Sequence, residues 1–354
     1  MQSGLDDVVA AETVLSDVDG LAGRLIVRGH SLDELAGRVR FEAVVDLLLD
    51  GLLAPVPDEA SIGVARVEMF RYFAPRLSSF AGLAPFDAMR AAIALLPDGT
   101  GPETATALLA APAVLVPALA RATNALSPVA PLATAPHAHD ILRMLHGRDP
   151  GEAEAAALDT YLVTVADHGL NASTFTARVV ASTQAGLVSS TLAALGALKG
   201  PLHGGAPGPV LDMLDAVGTP ERAEPVLRKM LARGERLMGF GHRIYRVRDP
   251  RADALKAALL RLPPSPRMTL AVAVETAALK LLREKKPDRP LDTNVEFFTA
   301  LLLDALGFPR EMFTAVFAIG RTAGWLAHAR EQALSGRLIR PKSLYVGPAP
   351  RRAA

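Results

Sequence analysis

The chain has 354 residues, half of them hydrophobic but only 5% aromatic, and carries 38 Lys plus Arg against 37 Asp plus Glu. That is globular composition, and a net charge of +1 provides no electrostatic footprint for a nucleic-acid or anionic-membrane partner. The absence of cysteine removes a disulfide scaffold, a thiolate metal site and a Cys nucleophile together.

The opening MQSGLDDVVAAE is acidic and has no basic stretch leading into an apolar one, so it reads as neither a secretory nor a transit peptide, and a cytoplasmic location is expected. RLIVRG (24–29) alternates like a strand, as does SLYVG (343–347) near the other end. Elsewhere apolar residues recur at three- and four-residue spacing, which predicts an all-α protein. Ser31 with Glu34 forms a capping box ahead of LDELAGRV, and FEAVVDLLLD makes a second helix from Phe41 that stops at Gly51. Further helices are predicted over 64–76, 86–96, 103–124 with proline interruptions, 151–167, 172–198, 208–217, 220–233, 251–261, 268–284, 294–306 and 310–335. Two uncharged stretches, 104–120 and 179–198, are read as core helices, because the first contains Pro112 and Pro117 and the second six Ser, Thr or Gln. SPVAPLATAP (127–136), LHGGAPGP (202–209), LPPSP (262–266) and KKPDRP (285–290) are predicted loops. LHGGAPGP is the candidate hinge, and a second crossing near Gly307 would enclose a smaller domain.

The chain lacks a Walker A loop, HExxH and G-x-S-x-G, which removes the NTPase, zincin and α/β-hydrolase readings. His137-x-His139 is read as part of a solvated proline-rich loop, with no metal proposed. Three histidines lie beside glycines or turns: His168 in ADHGLNASTF, His203 in PLHGGAPG and His242 in MGFGHRIYRVRDPR. Together they suit a site where imidazoles hydrogen-bond the oxygens of a carbonyl substrate. Arg246, Arg248 and Arg251 follow His242 closely and point to an anionic ligand. Glu296 falls just inside a helix capped by Asp292, Thr293 or Asn294, where the helix N-terminus favours the ionised carboxylate a general base requires. Arg321, in FAIGRTAGWLAH, has apolar helical neighbours and so needs a carboxylate partner, from the protein or from a ligand.

These residues resemble the citrate synthase family. GFGHRIYRVRDPR (239–251) matches its signature, and PLHGGAP, TNVEFF, GRTAGWLAH and IRPKSLYVG follow in the family's order. The resemblance implies an all-α homodimer with a large domain (1–205 and 307–354) and a smaller one (206–306) that closes over the substrates. It implies condensation of acetyl-CoA with oxaloacetate, then thioester hydrolysis to citrate and CoA, without a metal or redox cofactor and without nucleic-acid or membrane partners. By motif, His203 would hydrogen-bond the thioester carbonyl, His242 would polarise the ketone and Glu296 would take the methyl proton. His168, Arg251 and Arg321 would hold oxaloacetate, with Arg340 reaching into the other subunit's site. Leu237, Met238, Gly239, Gly241, Arg246 and Asn294 would meet CoA. The family usually has Asp where Glu296 stands and Asn where Pro207 stands; NVE with HGGAP and HGLNASTF is similar to a smaller branch of the family. Propionyl-CoA condensation to 2-methylcitrate, and a weakly catalytic paralogue that binds CoA or dicarboxylates, are the alternative readings.

Overall fold

The computed structural model describes residues 8–204, 207–242, 244, 245, 247–287 and 291–348. The alternating segment RLIVRG does form a strand. It is the middle one, β2 (Arg24–Val27), of a small antiparallel sheet with β1 (Ser16–Asp19) and β3 (His30–Ser31), in the register Ser16 to Val27 and Ile26 to Ser31. SLYVG is irregular and exposed, with no strand paired to it among the described residues.

Helices make up the rest. The Ser31–Glu34 box forms, with the Glu34 carboxylate accepting from Ser31 N at 2.7 Å, but α1 (Leu32–Leu35) is only one turn long. Next come α2 (Phe41–Leu49), α3 (Glu59–Phe73), α4 (Pro85–Ile93), α5 (Pro102–Thr123) and α6 (His137–His146). Helix α5 runs through both internal prolines, and its apolar length, enough to cross a membrane, is buried inside the fold. The remaining elements are α7 (Glu152–Val165), α8 (Ala172–Ala181), α9 (Leu187–Leu198), α10 (Pro207–Val217), α11 (Ala223–Ala232), α12 (Pro250–Leu259), α13 (Pro266–Lys285), α14 (Val295–Ala305) and α15 (Phe313–Ser335).

Two expectations are corrected. The single helix expected over 172–198 is two helices, α8 and α9, packed against each other. The turn between them is set by positive φ at Gln184 and Gly186, and Asp98 caps the second helix by accepting from Val188 N at 2.8 Å and Ser189 N at 3.0 Å. Hydrophobic periodicity continued across the break because both helices bury an apolar face. His137 and His139 are not in a solvated loop either: His137 is completely buried at the start of α6 and stacks on Phe41 with ring centroids 5.4 Å apart. Its Nδ1 lies 3.2 Å from the guanidinium of Arg66, which is itself buried and paired with Asp140 at 3.0 Å. Burial, with the Arg66 charge beside it, holds the imidazole well below its ordinary pKa, so the ring is a neutral core group.

Helix α15 is the axis of the fold. Phe313, Val316, Ile319, Trp325 and Leu326 are all buried, and α2, α5, α7, α8 and α9 pack around it. Its approach to α7 is set by glycines: a Cβ on Gly320 would meet Val165 Cγ2 at 2.6 Å, and one on Gly324 would meet Ala166 O at 2.4 Å. Gly324 N instead donates to Ala166 O at 3.1 Å, joining the two helices backbone to backbone. Helix α7 also touches α12 and α14, so the residues at its C-terminal end lie where three helices converge.

Candidate active site

The loop carrying His242 is tied to the start of α14 by the backbone. Phe240 and Thr293 form an antiparallel bridge, Gly241 N donates to Asp292 O at 2.7 Å, and Asn294 N donates to Gly239 O at 3.0 Å. Asn294 is the actual cap of α14: its Oδ1 accepts from Glu296 N at 3.0 Å, and its Nδ2 donates to Gly241 O at 2.7 Å. A Cβ on Gly239, at φ +86°, would strike Phe297 at 2.8 Å, so the ribbon lies directly on the helix that bears Glu296.

His242 has its tautomer fixed by this loop. Its Nδ1 accepts from Ile244 N at 3.0 Å and Tyr245 N at 3.1 Å, so the ring proton sits on Nε2. Burial and the Arg251 charge bring its pKa down to about 4, keeping the ring neutral near pH 7. Nε2 is 3.1 Å from an amino nitrogen of Arg251, which can only donate. Two donors thus stand side by side, an arrangement that fits an oxygen acceptor.

Arg251 is buried and aligned by Asp249, whose carboxylate accepts from Arg251 N, Nε and Nη2 at 3.1, 3.0 and 2.9 Å. Burial alone would raise the Asp249 pKa, but the Arg251 charge and hydrogen bonds win and hold it below the ordinary carboxylate value. Arg321, 1% exposed, has no salt bridge among the described residues; its Nε donates to Val165 O at 2.5 Å and its guanidinium lies 4.7 Å from the Phe317 ring centre. Desolvation pulls its pKa down to about 10. A buried cation of this kind is a receptor for a carboxylate from elsewhere.

His168 stands at the centre. Burial, then the charges of Arg251 and Arg321 and the neighbouring His242 and His203, hold its pKa well below the ordinary imidazole value. Its Nε2 shares a 3.1 Å hydrogen bond with the Tyr245 hydroxyl, and its ring is 6.0 Å from that of His242. His203, in the turn after α9, contacts the Ser173 hydroxyl through Nε2 at 2.8 Å; burial and Arg321 bring its pKa to about 4. Ser173 also accepts from Trp325 Nε1 at 3.1 Å and lies 2.8 Å from Asn171 Oδ1, so the imidazole is anchored to the cap of α8 and to α15 at once.

Glu296 departs from the expectation of an ionised helix-terminal carboxylate. The residue keeps some exposure, but the protein packed around its carboxyl desolvates it and raises its pKa to about 7 against the lowering effect of Arg251 and Arg321. The helix dipole is worth a fraction of a kcal/mol to about 2 kcal/mol, and burial outweighs it.

The structure therefore brings His168, His203, His242, Arg251, Glu296 and Arg321 together. Leu237 is buried and Met238 partly so at the start of the His242 ribbon, beside Gly239, Gly241 and Asn294. Arg246 lies outside the described residues. Arg340 is exposed in the segment after α15 and belongs to none of these contacts, and Arg248 forms a surface pair with Asp253. Sequence reading missed Ser173, Tyr245 and Asp249 as site residues. Each lies within a motif already singled out, yet only its partner in space reveals its part. Among the described residues no cluster of three or more His, Asp or Glu is arranged to hold a metal ion.

An all-α fold that gathers two buried arginines and three neutral imidazoles with one desolvated carboxyl defines an enzyme for an anionic carbonyl substrate. The sequence matches the family described as "Citrate synthase, C-terminal domain" over residues 4–342, and the chain belongs to the citrate synthase family. It is 42% identical to the Mycobacterium tuberculosis protein named "Putative citrate synthase 2", covering 98% of this chain and 93% of that one. The citrate synthase of Thermotoga maritima superposes with a TM-score of 0.85 at 31% identity, over 100% of this chain and 98% of that one. That of Thermoplasma acidophilum, solved as a ternary complex with carboxymethyl coenzyme A and oxaloacetate, gives 0.84 at 27% identity, over 99% and 97%.

Proposed function

We propose that this enzyme condenses acetyl-CoA with oxaloacetate and hydrolyses the resulting thioester to citrate and CoA. The observation that carries the reading is the pair of adjacent donors, His242 Nε2–H and Arg251, with a buried Arg321 that has no salt bridge among the described residues. Two guanidinium groups match a dicarboxylate, and a neutral N–H between them suits its ketone oxygen. The ligands named for the Thermoplasma acidophilum complex support the same substrate pair.

In this reading ionised Glu296 removes a proton from the thioester methyl group while His203 donates a hydrogen bond to the thioester oxygen, which takes up the charge. That role needs the proton of His203 on Nδ1, which requires the single Ser173 hydroxyl proton to turn from Asn171 Oδ1 to His203 Nε2. The new carbon nucleophile attacks the ketone carbon, and the alkoxide formed there, held by hydrogen bonds from His242 Nε2–H and Arg251, takes up a proton that balances the one Glu296 removed from the methyl group. Water then cleaves the citryl thioester, releasing CoA. His168 aligns the dicarboxylate with Arg251 and Arg321. CoA lies along Leu237, Met238, Gly239, Gly241 and Asn294, with Arg246 at its phosphates. Residues 206–306 close over the substrates as the smaller domain, and a homodimer supplies Arg340 across its interface.

A thiol-release assay with oxaloacetate and either acetyl-CoA or propionyl-CoA tests the reading. Faster release with acetyl-CoA is expected. Faster propionyl-CoA turnover would make the enzyme a 2-methylcitrate synthase, and oxaloacetate binding with no release from either donor would make it a non-catalytic paralogue.

A further inference from the structure

Gly20 to Gly23 make the turn between β1 and β2, and Asp19 shapes it: one carboxylate oxygen accepts from Leu21 N at 3.1 Å and Ala22 N at 2.9 Å, the other from Arg24 Nη2 at 3.2 Å. This turn is seated on the His242 loop, far away in the sequence. A Cβ on Gly20 would lie 2.4 Å from the carbonyl oxygen of Ile244 and 2.8 Å from its carbonyl carbon, and one on Gly23 would lie 3.1 Å from the carbonyl oxygen of Arg248. The atoms met are backbone, which has no rotamer by which to give way, so the approach exists because these positions lack a side chain. At its other end β1 touches the loop of His168, where Ser16 Oγ accepts from Gly169 N at 3.0 Å.

The carbonyl that Gly20 covers belongs to the peptide joining Ile244 to Tyr245. In a trans peptide the C=O and N–H point in opposite directions. The N–H of this one donates to His242 Nδ1 at 3.1 Å, beside the Ile244 N–H at 3.0 Å, so Gly20 backs one end of a peptide whose other end holds the imidazole. The tautomer depends on those two donors. Arg251 stands 3.1 Å from Nε2 and can only donate, so by itself it favours a bare Nε2 with the proton on Nδ1, the form that offers a ketone no donor. We propose that the Gly20 turn is a positioning element for His242: seated against the Ile244 carbonyl, it holds the Ile244–Tyr245 peptide in the orientation that keeps the ring proton on Nε2. The inference rests on the assignment of His242 as the group that hydrogen-bonds the ketone.

The test uses the full-length protein with its histidine rings labelled with nitrogen-15, the His242 resonances being identified by their loss in His242→Gln. Near neutral pH the wild-type ring carries its proton on Nε2. Gly20→Ala, whose added methyl must displace the Ile244 carbonyl, brings in the Nδ1–H form and lowers kcat by about tenfold to a hundredfold, the scale of a misplaced catalytic group. Oxaloacetate Kd stays within a factor of about three, since Arg251 and Arg321 are untouched. Gly29→Ala is the control: it strains the turn between β2 and β3, at φ +87°, where a Cβ meets nothing within 4 Å, and it leaves tautomer and kcat as in wild type. Asp19→Ala, which removes the acceptor that shapes the Gly20 turn, acts in the same direction as Gly20→Ala, and Asp19→Asn, which keeps an acceptor, restores both readouts. If Gly20→Ala does not fold, the Asp19 pair decides. A tautomer that stays on Nε2, whether or not turnover falls, overturns the positioning role, as does an equal shift in Gly29→Ala. Full turnover in His242→Gln overturns the assignment of His242 instead.

Discussion

Asp249 Oδ2 accepts a hydrogen bond from the backbone N–H of Val295 at 3.2 Å, while the same carboxylate grips the side chain of Arg251. One buried group thus orients Arg251 and the first turn of the helix that carries Glu296. Asp249→Asn keeps the shape but sets an amide N–H against either Arg251 or Val295, both donors. Oxaloacetate affinity measured by calorimetry falls by about tenfold to a hundredfold, and thermal stability falls too, because an unpaired buried charge costs about 3–5 kcal/mol. Wild-type affinity in the variant would show that Arg251 is aligned by other groups.

Arg321 behaves differently on removal. Arg321→Leu deletes a buried cation that has no ion pair among the described residues, so the melting temperature holds or rises while oxaloacetate binding is lost. Normal binding by titration calorimetry would remove Arg321 from the receptor.

The raised pKa of Glu296 gives a pH signature. With a value of about 7 in the free enzyme, kcat/KM rises with pH until the carboxyl is ionised and falls about tenfold per unit below pH 6. His203 and His242, at about 4, contribute no titration in that range. A profile flat from pH 5 to 8 would rule out Glu296 as the titrating base.

The same group affects stability. The native carboxyl keeps its proton up to about pH 7 whereas the unfolded chain releases it near 4.5, so the native state binds more protons between these values. Its contribution to stability is therefore present below the unfolded pKa and is lost as pH rises through the folded one. Glu296→Gln escapes this loss: at pH 8 it gains up to about 3 kcal/mol over wild type, and at pH 4 close to nothing, as read from urea unfolding. Equal gains at both pH values would mean that the carboxyl is not desolvated.

Far from the site, Asp140→Ala leaves Arg66 buried without its carboxylate. A loss of about 3–5 kcal/mol in unfolding free energy is expected, with oxaloacetate affinity unchanged in protein that remains folded. A shift below about 1 kcal/mol, the worth of an exposed pair, would show the pair to be solvated.

Local order was legible in the sequence because its causes are local. The three- and four-residue periodicity marked nearly every helix, Ser31 with Glu34 marked a cap, and the glycine-flanked histidines marked the ribbon and turns of the site together with the family. The break at Gly186 escaped because both flanking helices keep the same apolar period, and α6 escaped because its first turn follows prolines that read as loop. What tertiary structure alone decided is charge and proton placement. Desolvation is set by atoms far away in the chain: Glu296 is raised to about 7 because packing takes its carboxyl out of water, and His137 is neutral because it is buried beside Phe41 and Arg66. Sequence named the polar groups that the structure brings together, and packing determined which of them bear protons.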